Sequence, residues 1–151
     1  MKPSVYEVVF FDLGDTLVDG KNTTSWVPDA RGVLDLLHQK GLQLGLISNT
    51  GTLTRLQLVA MLPPDFNLAQ FEEHLIVLSS EVGVEKPGLE IFRLALARAS
   101  VEGHKCLFCT EELLHTLAAQ QVGMHVARLQ RPPGSDVGSV ADLLEQLDKL
   151  V

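Results

Sequence analysis

The stretch "VYEVVFFDLGDT", Val5 to Thr16, joins an apolar, β-favouring run to a carboxylate. The run ends with four consecutive apolar residues, which is typical of a strand buried on both faces of a parallel sheet. Asp12 stops the strand at once and is followed by glycine, a second acid and threonine. Turn chemistry alone explains an Asp-x-Gly-Asp segment. A reactive Asp12 and an ordinary turn Asp12 are therefore equal alternatives on this stretch.

Strand-like and helix-like segments alternate along the rest of the chain. Further strands are predicted over 42–48, 75–80, 105–110 and 124–129. Helices are predicted from Pro28 to Gly41 and over 53–61. A third helix is predicted to begin at Pro87, and a fourth to pass through Leu114 and Leu117. The last is predicted over 140–151, with Ser139 as its N-cap. This alternation predicts a doubly wound α/β fold, with a five-stranded parallel sheet covered by helices on both faces. The length of 151 residues fits one domain, 1–151.

Composition excludes several classes of function. The net charge is −7 without a Lys/Arg cluster, so a nucleic-acid backbone would be repelled. No apolar run reaches the length of about 18 residues that a membrane span needs, and no signal-peptide pattern opens the chain. A cytoplasmic location is therefore expected. Cys106 and Cys109 lie in a predicted strand without partners at metal-binding spacing, which favours buried structural thiols.

Polar residues end three of the predicted strands. Asp12 follows the first strand, Ser48 ends the second, and Thr110 ends the fourth. Ligands of open parallel sheets bind beyond the carboxyl ends of the strands. This placement favours a reactive Asp12 over an ordinary turn residue.

These residues make the chain resemble the haloacid dehalogenase (HAD)-like hydrolase superfamily. Its first motif, a strand followed by D-x-D-x-[TV], is matched by "DLGDT" from Asp12. Its second, a Ser or Thr ending the next core strand, is matched by Ser48 in "LISN", and its third by Lys86 in "GVEKPGLEIF". The resemblance implies a Rossmann-like core with strand order 5-4-1-2-3. It also implies that Asp12, Ser48, Lys86 and the segment 110–111 converge at the carboxyl edge.

The resemblance implies phosphoryl transfer. Asp12 would become an aspartyl-phosphate that water hydrolyses, with Mg²⁺ cancelling the repulsion between carboxylate and phosphate. Ser48, Asn49 and Lys86 would bind the other phosphate oxygens. The implied partner is a phosphorylated substrate, either small or macromolecular.

The first motif departs from the superfamily pattern at the acid that protonates the leaving oxygen. That position holds Gly14, and the acid stands one place later, at Asp15. The Gly14 carbonyl still suits metal coordination, because that role needs only a backbone oxygen. Loss of a general acid costs about 10²–10⁴-fold in rate, so Asp15 is retained as a candidate catalytic residue.

The fourth motif departs further. Its two usual acid positions hold Thr110 and His115. Glu111 is the favoured substitute metal ligand and Glu112 a poorer one, while a plain first-turn role for Glu111 is an equal alternative. Asp12, the Gly14 carbonyl and Glu111 would hold Mg²⁺ weakly, because this ion takes an octahedral oxygen shell.

No lid domain is predicted, because core elements fill the segments from Asp12 to Ser48 and from Ser48 to Lys86. Capless relatives have open sites that suit large substrates, or they use a neighbouring subunit of a homo-oligomer as the lid. The loop from Asp19 to Trp26 is the local candidate for a flap. Trp26 there either contacts substrate or packs.

Three functions fit these observations. The favoured one is a slow or specialised Mg²⁺-dependent phosphatase that uses Asp12. The main alternative is a catalytically degenerate member that binds a phosphorylated ligand or a protein partner without turnover. A dehalogenase-type hydrolase acting at carbon would explain Gly14, but it needs a closed apolar pocket that a capless chain is not expected to have.

Overall fold

A computed structural model describes residues 6–129 of the chain. Within this range five strands form one parallel sheet in the order β3-β2-β1-β4-β5. The strands are β1 (Val8–Phe11), β2 (Gln43–Ser48), β3 (Ile76–Leu78), β4 (Cys106–Thr110) and β5 (His125–Arg128). The α-helices are α1 (Ala30–Gln39), α2 (Arg55–Ala60), α3 (Ser79–Val82), α4 (Leu89–Ala99) and α5 (Leu113–Gln121). The predicted fold class and strand order are confirmed.

The sheet separates two apolar layers. Val9 and Phe11 of β1 pack into one layer together with α1, and Val8 and Phe10 pack into the other together with α4. β1 is thus buried on both faces, as its unbroken apolar run predicts. β4 follows the same alternation, so its two buried, unpaired cysteines, Cys106 and Cys109, belong to opposite layers. Burial raises the pKa of the Cys106 thiol to about 11.

The structure corrects the boundaries of the first and third predicted strands. The first strand begins at Val8 rather than Val5. The third ends at Leu78, and α3 begins at Ser79, because Ser79 and Ser80 hydrogen-bond to Thr50 instead of continuing the sheet. α5 was predicted through Leu114 and Leu117, and both leucines prove exposed. The predicted helix over 140–151, with Ser139, lies outside the described residues.

The connections between the strands contain no inserted domain within residues 6–129. A loop and α1 join β1 to β2, and α2 with two short 3-10 turns joins β2 to β3. Among these residues, loops and the short helices α2 and α3 therefore follow the carboxyl ends of the strands. None of the described helices has the length and hydropathy to cross a membrane.

Candidate active site

Asp12 lies directly beyond the carboxyl end of β1, the central strand, and is buried. Its backbone N–H donates to the carbonyl of Cys109 at 3.1 Å, which extends the β1–β4 pairing to this residue. Its Oδ1 accepts a hydrogen bond from the N–H of Leu13 at 2.8 Å and lies 2.9 Å from Nζ of Lys86. The predicted convergence of Asp12 and Lys86 is therefore observed, at direct ion-pair distance.

Lys86 lies in the turn before α4, and its side chain is only 1% exposed. Burial lowers the pKa of its amine, and the charge of Asp12 acts in the opposite direction. Nζ also lies 5.5 Å from the centre of the Phe108 ring. A buried ion pair contributes less to stability than apolar packing does, because both charges lose their hydration. Such a pair at a sheet edge therefore indicates a functional site.

Asn49 holds the backbone of Lys86 in place. Its Nδ2 donates to the Lys86 carbonyl at 2.9 Å, and its Oδ1 accepts from the Lys86 N–H at 2.9 Å. Ser48, the preceding residue, is the last of β2 and is buried. Asn49 is thus a positioning residue for Lys86. The sequence pattern indicated only phosphate binding for it.

Thr110 contacts Asp12 from the other side. Its Oγ1 donates to Oδ2 of Asp12 at 3.3 Å and accepts from the N–H of Glu112 at 3.2 Å. The predicted convergence of Thr110 with Asp12 at this edge is therefore observed, although the hydrogen bond itself was not predicted. Pairing of Phe11 with Cys109 in the sheet places Thr110 beside Asp12, so the register was the signal that could have identified it.

The donors around Asp12 fit a tightly held Mg²⁺ poorly. Among residues 6–129 there is no group of three or more His, Cys, Asp or Glu side chains placed to hold a metal ion. Oδ1 of Asp12 is already bonded to Lys86 and Leu13, and a threonine hydroxyl takes the place of a carboxylate on its other oxygen. Mg²⁺ takes six oxygen ligands at about 2.1 Å. Asp12 and the Gly14 carbonyl supply only a small part of that set.

The two glutamates of the altered fourth motif are placed differently. The carboxylate of Glu112 acts on both Lys86 and His115 and favours their protonated forms. The backbone carbonyl of Glu111 accepts a hydrogen bond from Nε of Arg128 at 3.1 Å. The charge of Glu112, which sequence analysis ranked lower as a metal ligand, thus acts on Lys86.

His115, in the first turn of α5, lies within the electrostatic reach of the same pair. Its Nδ1 is buried and has no hydrogen-bond partner within the part of the chain that the structure describes. Burial lowers the pKa of the imidazole, and the charge of Lys86 lowers it further against the opposing charges of Asp12 and Glu112. The ring is therefore favoured in its neutral form.

This lowered pKa predicts a pH-dependent contribution of His115 to stability. Below its ordinary pKa of 6.5, the unfolded chain binds more protons than the folded chain, so stability is lost as the pH falls. His115→Gln should reduce the slope of unfolding free energy against pH between about pH 5 and about pH 7. Because the ring is half-buried and screened, the reduction is less than the one-proton limit of about 1.4 kcal/mol per pH unit. Urea unfolding across this range measures it, and identical slopes would contradict it.

Asp15 is engaged within the loop that follows β1. Its backbone has a left-handed φ of 59°, and its Oδ1 accepts a hydrogen bond from the N–H of Gly20 at 2.8 Å. A Cβ at Gly20 would lie 2.6 Å from this carboxylate, so a larger residue there would force the Asp15 side chain to move. The observed role of Asp15 is to close this loop.

The loop from Asp19 to Trp26 packs against the region around α2. Oγ1 of Thr23 donates to the carbonyl of Met61 at 2.6 Å. The indole of Trp26 donates to Asp65 at 2.7 Å and stacks on Phe66 with ring centres 5.0 Å apart. Of the two alternatives for Trp26, packing is the one observed. A cavity of about 200 Å³ remains between this loop and α2, with Gly14, Ser48 and Asn49 at one end.

Comparison with solved structures agrees with this topology. A HAD-superfamily hydrolase of subfamily IA from Geobacter sulfurreducens superimposes with a TM-score of 0.76 at 13% identity, covering 95% of this chain and 97% of that one. D,D-heptose 1,7-bisphosphate phosphatase from B. bronchiseptica, complexed with magnesium and phosphate, gives 0.73 at 17% identity, covering 96% and 99%. The chain therefore has the same fold as these HAD-superfamily structures.

Curated relatives of this HAD-like chain are phosphatases. A glyceraldehyde 3-phosphate phosphatase from Pyrococcus abyssi is 33% identical over 99 residues, which are 65% of this chain and 40% of the relative. A ribulose-1,5-bisphosphate 5-phosphatase from Halopiger xanaduensis is 29% identical over 119 residues, or 78% and 48%. The HAD-like chain thus spans less than half the length of both relatives. No family model matches the sequence.

Proposed function

We propose that this chain is a slow or specialised phosphatase of phosphate monoesters that acts through an aspartyl-phosphate on Asp12. The observation that carries the proposal is the buried pair of Asp12 and Lys86, 2.9 Å apart at the carboxyl edge of the central strand. A carboxylate attacks a phosphate only when nearby positive charge reduces their repulsion. Lys86 provides that charge. The curated phosphatase relatives support the same class of reaction.

Two bond exchanges make up the proposed reaction. A carboxylate oxygen of Asp12 forms a bond to phosphorus as the ester P–O bond breaks, and the alcohol leaves with the electron pair of that bond. Water then attacks the phosphorus of the aspartyl-phosphate, which releases phosphate and restores Asp12. Lys86 and the hydroxyl of Ser48 bind the phosphoryl oxygens, while Asn49 keeps Lys86 in place through its backbone.

The leaving group receives no proton from the first motif in this proposal. Gly14 has no side chain, and the carboxylate of Asp15 is bonded to the N–H of Gly20. The leaving oxygen therefore departs as an anion and takes its proton from solvent. A phenolate tolerates this better than an alkoxide, because its conjugate acid has the lower pKa.

Hydrolysis of a matched pair of esters tests the proposal. Phenyl phosphate and 2-phenylethyl phosphate both carry one ring, but their leaving groups differ strongly in pKa. We expect phenyl phosphate to be hydrolysed at least about 10²-fold faster, with Asp12→Asn reduced to background. Asp15→Asn is the control and should leave the ratio unchanged.

Other outcomes of this assay point to other functions. No release of phosphate above the Asp12→Asn background would overturn the phosphatase and favour the binding-module alternative. Some features already favour that alternative, since Thr110 and His115 replace the usual acids and the donors fit Mg²⁺ poorly. Chloride release from a chlorinated acid would instead favour the dehalogenase-type hydrolase.

For metal binding we propose a weak Mg²⁺ site at Asp12, the Gly14 carbonyl and Glu111. Titration calorimetry should detect weak binding by the parent protein and none by Asp12→Asn. Glu111→Gln should weaken binding by about tenfold, equivalent to about 1.4 kcal/mol. Glu112→Gln is the matched variant one residue away. A larger loss in Glu112→Gln than in Glu111→Gln would transfer the ligand role to Glu112.

A single domain over 1–151, a cytoplasmic location and a partner subunit acting as a lid remain predictions.

A further inference from the structure

The cavity of about 200 Å³ that Leu13 and Gly14 line, next to Asp12 in the chain, has two chemically different ends. Ser48 and Asn49 form its polar end, at the carboxyl edge of the sheet. Most of its other walls are aliphatic and thioether side chains, namely Leu13, Val18, Leu53, Leu58, Met61 and Leu62. Thr23 and Thr50 also line it, and their hydroxyls donate to the Met61 carbonyl and to Ser80. None of the described side chains that line the cavity carries a formal charge.

The loop after β1 completes this cavity. The hydrogen bond from Thr23 to the Met61 carbonyl, at 2.6 Å, holds the loop tip against the end of α2. Met61 itself is 41% exposed, so it lies at the mouth, whereas Leu58 is buried at 8% exposure and lies deeper. The cavity thus opens to solvent at one side and meets the phosphate-binding residues at the other.

Volume and polarity restrict what fits. An apolar cavity of about 150 Å³ binds benzene, so about 200 Å³ accommodates one six-membered ring with a small substituent. A sugar in the same place would lose water from its hydroxyl groups and gain few partners, because the walls are mainly aliphatic and the Thr23 and Thr50 hydroxyls already donate to other protein atoms.

We propose that this cavity is the leaving-group subsite and that it selects phosphate monoesters of single-ring aryl or similarly compact apolar alcohols. This proposal rests on the proposed function and narrows its substrate class. A second observation is consistent with it, since the absence of an acid at Gly14 favours phenolate leaving groups. The preferred substrate class therefore differs from the sugar phosphates named for the curated relatives.

Binding of two non-hydrolysable phosphonates tests the subsite without requiring turnover. Phenylphosphonate and methylphosphonate present the same anionic head and differ in the ring. Burial of the ring in the cavity should make phenylphosphonate bind at least about tenfold more tightly in titration calorimetry. Equal affinity of the two phosphonates would overturn the subsite.

Two matched variants locate the binding of the ring. Met61→Gln keeps the length of a side chain at the cavity mouth but makes it polar, and it should reduce the affinity ratio to about threefold. Leu56→Gln makes the same kind of change on α2 at a position that is 82% exposed and does not line the cavity, so the ratio should stay unchanged. An unchanged ratio in Met61→Gln, or an equal loss in both variants, would overturn the assignment.

The same experiment separates failure of the subsite from failure of the phosphatase. A retained preference for phenylphosphonate without hydrolysis of phenyl phosphate would overturn turnover and leave the apolar subsite standing. Hydrolysis of phenyl phosphate with equal affinity for the two phosphonates would overturn the apolar subsite and leave the phosphatase activity standing.

Discussion

The Gly14→Asp variant should hydrolyse 2-phenylethyl phosphate about 10²-fold faster than the parent protein or better. The substitution places an acid two residues after Asp12, where the superfamily has its general acid. The structure leaves room for its Cβ, because among residues 6–129, chain neighbours aside, only Cα of Gly20 comes within 4.0 Å of a Cβ at Gly14. The backbone of Gly14 does not have a left-handed φ, so a side chain at this position brings no backbone strain.

The matched control is Gly14→Asn, which has nearly the same size but cannot transfer a proton. Rates for the alkyl and aryl esters should be measured for the parent, Gly14→Asp and Gly14→Asn. Acceleration of the alkyl ester in both variants would show that bulk or polarity, rather than proton transfer, changes the rate. No acceleration in Gly14→Asp would contradict the inference that leaving-group protonation limits this chain.

Removing the amine of Lys86 should cost the folded protein about 3 kcal/mol, because it leaves the buried carboxylate of Asp12 without its partner. Lys86→Met keeps the apolar stem that packs near Phe108 and removes only the charge. The double variant Asp12→Asn/Lys86→Met removes both charges and should recover most of the loss. A double-mutant cycle of urea unfolding free energies isolates this coupling.

The exposed pair of Glu7 and Lys105 provides a matched control for that cycle. These side chains lie 3.6 Å apart but are 53% and 44% exposed, so their coupling should be below about 1 kcal/mol. If the effects of Asp12→Asn and Lys86→Met simply add, the two groups are not coupled. The ion pair would then no longer support the proposed reaction.

Much of the fold follows from the sequence because its signals are local. The unbroken apolar run of β1 predicts a strand buried on both faces, and the alternation of strands and helices predicts a parallel sheet. The polar residues that end β1, β2 and β4 identify the edge where the candidate site lies. The strand order and the roles of Asp12, Ser48 and Lys86 needed the superfamily resemblance as well.

The contacts that sequence analysis missed connect residues far apart in the chain. Thr110 lies beside Asp12 only through the pairing of β1 with β4, and Asn49 reaches Lys86 only because the two turns meet at one edge. The sequence around Ser79 and Ser80 predicts a strand, because their hydrogen bonds to the distant Thr50 appear only in the folded chain. The position of Asp15 was foreseeable in part, since a shift of one residue turns a side chain in another direction.

The two hydrogen bonds between Asn49 and the backbone of Lys86 have a dynamic consequence. They join the end of β2 to the turn before α4, so local opening of either segment breaks the same pair of bonds. Amide hydrogen exchange at Lys86 consequently reports on the end of β2 as well as on its own turn. The turn that positions the Lys86 amine is thus held to the end of β2 and not only to its own helix.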